Sequence, residues 1–145
     1  MQITRQADYA VRAVLYLAQQ GSHGQASTAQ IARDQKIPPT FLAKIMSQLA
    51  ACGIVHTGRG AHGGVRLARP ADEVSLLEVV EAIDGAILLN DCVANPQACP
   101  LSGDCPIQPV WCQAQAELVR CLKDTRFGAL AGAPRPPAVM NLISV

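Results

Sequence analysis

Three of the six cysteines in the chain lie in one segment, CVANPQACPLSGDC, which runs from Cys92 to Cys105 with Cys99 between them. The spacing is C-x6-C-x5-C, and two prolines and a glycine within it exclude a continuous helix. Thiolates are the usual ligands of iron–sulfur clusters, and a flexible loop can place three of them around one cluster. The same thiols could instead be reactive or redox-active without a metal. The residues alone leave both possibilities open.

Structural zinc and a disulfide fit this segment less well. Zinc favours cysteine pairs two to four residues apart and four protein ligands. The N-terminal segment lacks the apolar core and cleavage site of a signal peptide, and no apolar run approaches the ~20 residues of a membrane span. We therefore expect a cytoplasmic bacterial protein with reduced thiols. The other cysteines, which we interpret as structural, are Cys52, Cys112 and Cys121.

The charge is divided along the chain. Residues 1–70 carry eight basic and two acidic residues, a net +6, whereas residues 71–145 carry four basic and nine acidic residues, a net −5, which agrees with the overall +1. A basic half beside an acidic half is typical of a protein that meets a polyanion with one face. Charge alone does not distinguish this from a chance asymmetry of solvated faces.

The first half has the pattern of a winged helix-turn-helix. Apolar residues at helical spacing predict helices over residues 7–20, 27–35 and 40–52, with Pro39 early in the third helix and Gly53 ending it. Two short apolar segments, 54–57 and 65–68, flank a glycine-rich loop and predict a β-hairpin. We assign residues 1–70 to a DNA-binding domain of this kind, so the expected fold is mainly α with a small β-wing.

The third predicted helix turns its apolar positions, Phe41 among them, toward the core and its polar positions outward. We expect Thr40 and Lys44 to contact bases and the wing arginines to contact the DNA backbone. The expected DNA-binding residues are Thr28, Pro39, Thr40, Ala43, Lys44, Ser47, Arg59, Gly60, His62, Gly63, Gly64 and Arg66.

The second half, residues 71–131, is expected to connect that domain to a dimer interface. Ser75 and Glu78 have the spacing of a capping box at the start of a helix that ends at Asp84 and Gly85. The cysteine loop, 91–106, follows, and then a long helix over 109–124 with an apolar stripe that we expect to pair with a second copy. Residues 132–145 are proline-rich and are expected to form a flexible tail.

Three segments resemble a known family: the opening QITRQADYAVRAVLYLA, the stretch IPPTFLAKIMSQLAACGIVHTGRGAHGGVRLARP, and VSLLEVVEAIDG. They are similar to the bacterial Rrf-type winged-helix regulators that include IscR, NsrR, RirA and CymR. The resemblance covers residues 1–130 and implies a homodimer, crossed through its long helix, on a pseudo-palindromic double-stranded DNA operator. It also implies that Thr40, Ala43 and Lys44 lie in the base-reading region and that Arg59 is the wing arginine.

The resemblance bears on the cysteines as well. Several members hold an iron–sulfur cluster on three cysteines at the positions of Cys92, Cys99 and Cys105, whereas the CymR type lacks a cluster. IscR-like members use a histidine where this chain has Gln108, so the pattern is nearer to the NsrR and RirA type. The resemblance then implies Asp8 of the partner subunit as a further ligand, although Asp8 could simply stabilise a helix N-terminus. The x6 spacing leaves the cluster type open; 4Fe–4S is preferred and 2Fe–2S is possible.

The expected function is that of a repressor whose promoter binding is controlled by an iron–sulfur cluster that senses nitric oxide, redox state, or iron or cluster supply. The alternative is a cluster-free regulator of the same fold that responds through thiol oxidation or a small ligand. An enzyme is not expected, because catalysis by the thiols would need acid–base residues near them, and residues 71–145 contain no histidine.

Overall fold

The structure, a computed structural model, describes residues 2–60, 63–101 and 103–134. Its elements are α1 (Arg5–Gln19), α2 (Thr28–Gln35), α3 (Pro39–Ala51), β1 (Val55–Gly58), β2 (Gly64–Leu67), α4 (Leu76–Asp84), α5 (Asp91–Ala94), α6 (Gln108–Asp124) and α7 (Phe127–Gly132). Two short 3-10 helices cover Ala71–Glu73 and Pro96–Ala98. The expected fold class, mainly helical with a small β-wing, is confirmed.

The helix-turn-helix is defined by its caps and its turn. The Ser27 side chain accepts a hydrogen bond of 3.1 Å from the Gln30 backbone and starts α2, and Pro39 supplies the first residue of α3. Between them Lys36 ends α2 in the left-handed conformation, with φ of 53°. This conformation, which is unusual for a residue other than glycine, turns the chain so that Ile37 is buried.

The main core lies between α1, α3 and the wing. It contains residues from α1, α2, α3, both strands and the C-terminal part of the chain, among them Leu17, Ile31, Leu42, Leu49, Val65 and Phe127. The two strands pair in antiparallel register, with Val55 opposite Leu67 and Gly58 opposite Gly64. An isolated bridge between Ala26 and Val65 ties the segment before α2 to the wing.

The predicted capping box at the start of α4 is confirmed. Ser75 Oγ accepts a hydrogen bond from the Glu78 backbone, and the Glu78 carboxylate accepts from the Ser75 backbone N–H at 2.9 Å. Glu78 also accepts from Arg69, which follows the wing, at 2.8 Å. Partial burial raises the pKa of Glu78, but the hydrogen bonds from Ser75 and Arg69 outweigh it, so that the pKa lies below its ordinary 4.5.

The sequence pattern did not predict α7. After α6 the chain returns to the first domain: the Phe127 N–H donates to the Val74 carbonyl at 3.0 Å, and the Phe127 side chain is fully buried in the main core, near α1. A six-residue helix that contains two glycines has no helical period to detect, and the burial of Phe127 stabilises it instead. Of the expected flexible tail, residues 132–134 are exposed, and residues 135–145 lie outside the described residues.

Candidate nucleic-acid interface and cysteine loop

Helix α3 is anchored by one face and presents the other to solvent. Its buried residues are Leu42, Ile45, Met46 and Leu49. The residues that were expected to face DNA on this helix all lie on the exposed side: Pro39, Thr40, Ala43, Lys44 and Ser47. Thr28 is half-buried as the first residue of α2. The exposed side of α3 therefore combines a cation and two hydroxyl groups around small side chains, which suits contact with base edges.

Phe41 differs from the expectation. The prediction placed it with the core face of α3, but 44% of the residue is exposed. It lies in the first turn of α3 at the edge of the buried face, beside the fully buried Leu42, and its ring packs edge-on against Tyr9 of α1 with the ring centroids 6.4 Å apart. Arg12 lies 4.8 Å above the centre of the Tyr9 ring. The exposed surface at the start of α3 therefore includes an aromatic side chain that the apolar pattern had assigned to the interior.

The wing presents its basic residues at the surface. Arg66 on β2 lies opposite His56 on β1, and both are exposed, as are Arg59 and Gly60 at the tip. Gly60 has a φ of 92°, and its carbonyl accepts a hydrogen bond of 2.8 Å from the Gly63 N–H. A Cβ at Gly63 would lie 2.6 Å from the Gly58 carbonyl oxygen, closer than real contacts allow. Gly64 is half-buried, and His62 lies outside the described residues.

A polar network fixes α2 against α1. The Tyr16 hydroxyl donates to the Asp34 carboxylate at 2.8 Å and accepts from the Gln30 side chain at 3.1 Å. The hydrogen bond to Asp34 raises the pKa of Tyr16 above its ordinary 10.0. Because α2 precedes the turn that carries α3, this network helps to orient the exposed side of α3 relative to the rest of the domain.

The three loop cysteines are half-buried free thiols in separate local structures. Cys92 lies in α5, which Asn90 caps; Cys99 follows the 3-10 helix that Asn95 caps; and Cys105 comes shortly before α6. Thiols of this exposure on a proline-rich loop are suitable donors for an iron–sulfur cluster. Within the described ranges, however, no three side chains of histidine, cysteine, aspartate or glutamate are grouped closely enough to hold a metal ion. The donor chemistry fits a cluster, but the thiols are not gathered into a ready site.

Asp8 lies in the first turn of α1 and is engaged by its own chain. Its carboxylate accepts a hydrogen bond of 2.8 Å from Arg12, one turn further along the helix, and 56% of the side chain is exposed. A negative charge at this position is also favourable beside the helix N-terminus. Asp8 can therefore serve α1 alone, and any role as a ligand requires Arg12 to share or release the carboxylate.

The remaining cysteines and α6 lie largely at the surface of the single chain. Cys52, Cys112 and Cys121, which were interpreted as structural, are all exposed, so none of them packs in the core. Helix α6 has no fully buried residue. Its half-buried Leu118 and Leu122 pack on a second apolar cluster formed by Ala7, Leu77, Val80 and Ile87. Near its start Val110 is 60% exposed and Trp111 is 40% exposed, which leaves an uncovered apolar face.

The fold and its exposed recognition helix define a winged-helix DNA-binding protein. The chain belongs to the Rrf2 family, described as iron-dependent transcriptional regulators, which matches residues 3–133. It is therefore a DNA-binding transcriptional regulator and not an enzyme, from a family whose members are commonly dimeric.

Individual proteins resemble the chain in sequence or in fold. The chain is 36% identical over 111 residues to the regulator NsrR of Shouchella clausii, covering 71% of this chain and 74% of that protein. The crystal structure of oxidized CymR from Staphylococcus aureus has a TM-score of 0.74 at 22% identity and covers 94% of this chain and all of that one. IscR of T. potens has a TM-score of 0.69 at 21% identity and covers 94% of each chain. No helix in the described part of the chain is long and apolar enough to cross a membrane.

Proposed function

We propose that the chain is a repressor that binds a pseudo-palindromic promoter operator as a homodimer and that an iron–sulfur cluster on its cysteine loop controls this binding. The observation that carries the proposal is the position of three half-buried free thiols in one loop that leads directly into α6. The family description as iron-dependent regulators and the similarity to NsrR support the same reading.

The residues that would hold the cluster are Cys92, Cys99 and Cys105, with Asp8 of the partner subunit as a candidate further ligand. A bound cluster would supply a group that reacts to nitric oxide, redox state or iron supply; 4Fe–4S is preferred, with 2Fe–2S possible. A carboxylate is a hard ligand that matches iron in a cluster poorly. Because the Asp8 carboxylate could leave the cluster and pair with Arg12 instead, its coordination position would be the easiest one to open.

On the DNA side, the exposed residues of α3 are proposed to read bases, and Arg59 and Arg66 to contact phosphates. Those α3 residues are Pro39, Thr40, Ala43, Lys44 and Ser47, and the remaining proposed contacts are Thr28, Gly60, His62, Gly63 and Gly64. The net +6 of residues 1–70 supports this orientation, because phosphate contacts supply most of the sequence-independent affinity.

The proposed dimer interface is the uncovered apolar face of α6. Replacing Trp111 by lysine places a charge in that face and should shift the protein toward monomer in sedimentation equilibrium. Gln113→Lys adds the same charge at a solvent-exposed position on the same helix and serves as the control. Equal association of both variants and the wild type would place the dimer interface elsewhere.

The cluster is tested by anaerobic purification, iron and sulfide assays and an absorption spectrum. We expect a brown wild type with several irons per chain, and loss of both iron and colour in Cys99→Ala. Cys52→Ala removes an exposed thiol outside the loop and should keep the cluster. Asp8→Ala then tests the further ligand. A colourless wild type that takes up no cluster on reconstitution would refute the proposal.

A cluster-free thiol switch is the second candidate. Two observations favour it: the described thiols are not gathered into a metal site, and CymR, whose fold this chain shares, has been crystallised in an oxidized form. An iron-free wild type whose DNA affinity still responds to peroxide, and no longer responds in Cys99→Ala, would support this candidate over the first.

A further inference from the structure

The start of the cysteine loop is fastened to α6 by a single side chain, Gln115. Its Nε2 donates to the Ile87 carbonyl at 2.6 Å, and its Oε1 accepts from the Leu89 backbone N–H at 2.9 Å. One amide thus satisfies a donor and an acceptor two residues apart on the segment between α4 and α5. The bond to Leu89 has the ordinary length of an N–H···O hydrogen bond, and the bond to Ile87 is slightly shorter than that range. Both groups belong to the backbone, so the clamp fixes the position of the chain itself.

Apolar packing at the same place does not fix the segment by itself. Ile87 is buried in the apolar cluster on which Leu118 and Leu122 of α6 pack, whereas its neighbour Leu88 is 43% exposed. Burial of one side chain is non-directional and leaves the segment free to rotate or slide. The two hydrogen bonds to Gln115 define which backbone atoms face α6. They therefore also restrict the position of Cys92, which comes three residues after Leu89.

A second glutamine on the same side of α6 reaches the loop further on. Gln108 lies seven residues before Gln115, which places both on one helix face, and its Nε2 donates to the Cys92 carbonyl at 3.4 Å. This distance is long, so the bond is the weaker contact. The far end of the loop, after Cys105, continues directly into α6. Both limbs of the loop are therefore attached to α6, one through the chain and one through the Gln115 amide.

We infer that Gln115 is a positioning residue that couples the state of the loop cysteines to α6 and so to DNA binding; this rests on the proposed function. A change at the thiols that moves the Cys92 limb displaces α6 through Gln115. The C-terminal end of α6 leads to Thr125, whose carbonyl accepts from the Leu76 N–H at 2.9 Å. That bond lies beside the Ser75–Glu78 cap, where Arg69 attaches the exit of the wing.

The first test measures the clamp independently of any cluster. Gln115→Leu removes both bonds, and hydrogen exchange at the Leu89 amide should accelerate by about tenfold or more, since that amide loses its acceptor. Gln113→Leu is the matched control, because Gln113 bonds only the exposed Glu117 side chain in the described structure. Unchanged exchange at Leu89 in Gln115→Leu, or equal acceleration in the control, would overturn the inference.

The second test measures coupling on a duplex that the wild type selects from a random-sequence library. The quantity is the ratio of DNA affinities of anaerobically purified and peroxide-treated protein. In Gln115→Leu, the fold-change in affinity caused by peroxide should be at least about five times smaller than in the wild type. Gln113→Leu should keep the wild-type ratio. Gln115→Glu retains the acceptor for Leu89 but not the donor for Ile87, and should give an intermediate ratio.

The outcomes separate the two ideas. A wild type whose affinity does not respond to peroxide overturns control of DNA binding by oxidation at the loop cysteines, and the coupling inference with it. A responsive wild type with an equally responsive Gln115→Leu overturns the inference alone. If Gln115→Leu fails to fold, Gln115→Glu decides between the same results.

Discussion

Replacing Arg66 by alanine tests whether the wing meets the DNA backbone. Arg66 is exposed on β2 and forms no ion pair within residues 2–60, 63–101 and 103–134, so its charge is available to a phosphate. Each phosphate neutralised changes the slope of log K against log salt by about 0.9. The proposed homodimer would lose two such contacts, so its slope should be shallower by about 1.8. The ratio of wild-type to Arg66→Ala affinity should therefore shrink roughly tenfold between about 50 and 200 mM salt.

The assay is fluorescence anisotropy with a labelled duplex of random sequence, titrated at several salt concentrations, which needs no knowledge of the operator. Arg120→Ala removes the same charge from the exposed surface of α6 and should leave the slope unchanged. Equal slopes for the wild type and Arg66→Ala would refute the placement of the wing on the DNA backbone. Equally reduced slopes for both variants would mean that net charge, and not position, governs binding.

Three other predictions concern different parts of the molecule. Lys44→Ala should weaken binding to a selected operator by about 1–3 kcal/mol and bind a random duplex nearly as the wild type does; an equal loss on both duplexes would argue against base contact. Phe127→Ala should lower the free energy of unfolding in urea by about 3–5 kcal/mol, whereas Phe41→Ala, at an exposed position, should cost far less; similar losses would contradict the docking of α7. Because the pKa of Glu78 is lowered in the folded protein, its contribution to stability is present above pH 4.5 and is lost as the pH falls through the lowered pKa; unfolding of Glu78→Gln should depend less on pH in that acidic range, and an unchanged pH dependence would contradict this.

The sequence was informative wherever a local signal sets the structure. The caps and apolar spacing predicted α1 to α4 and α6 to within a few residues, and the Ser75 capping box was found as expected. The glycines around Arg59 predicted the wing because a tight hairpin tip requires them.

Features set by distant contacts were missed. Helix α7 exists because Phe127 fills a space left by other elements, and a short segment with two glycines carries no signal of that. Phe41 is an apolar residue of α3, yet it lies at the edge of the buried face of that helix and packs on Tyr9 at the surface. Gln115 is one polar residue on a helix, and its bonds to Ile87 and Leu89 depend on how the chain before α5 passes across α6. The arrangement of the cysteines could not be predicted either, because the sequence spacing identifies the donor atoms but does not fix the distances between them.

The return of the chain through Phe127 has a consequence for protein engineering. Helices α4 and α7 both pack into the core that holds α1. The stretch between them, residues 85–125, leaves at the end of α4 and returns beside the start of α4, where Ser75 pairs with Arg126. Such a stretch can be exchanged as a cassette. If the cysteine loop has the proposed sensing function, grafting the corresponding stretch of another family member between Asp84 and Arg126 should keep both attachment points and α3, and the chimera should bind the same DNA while responding to a different stimulus.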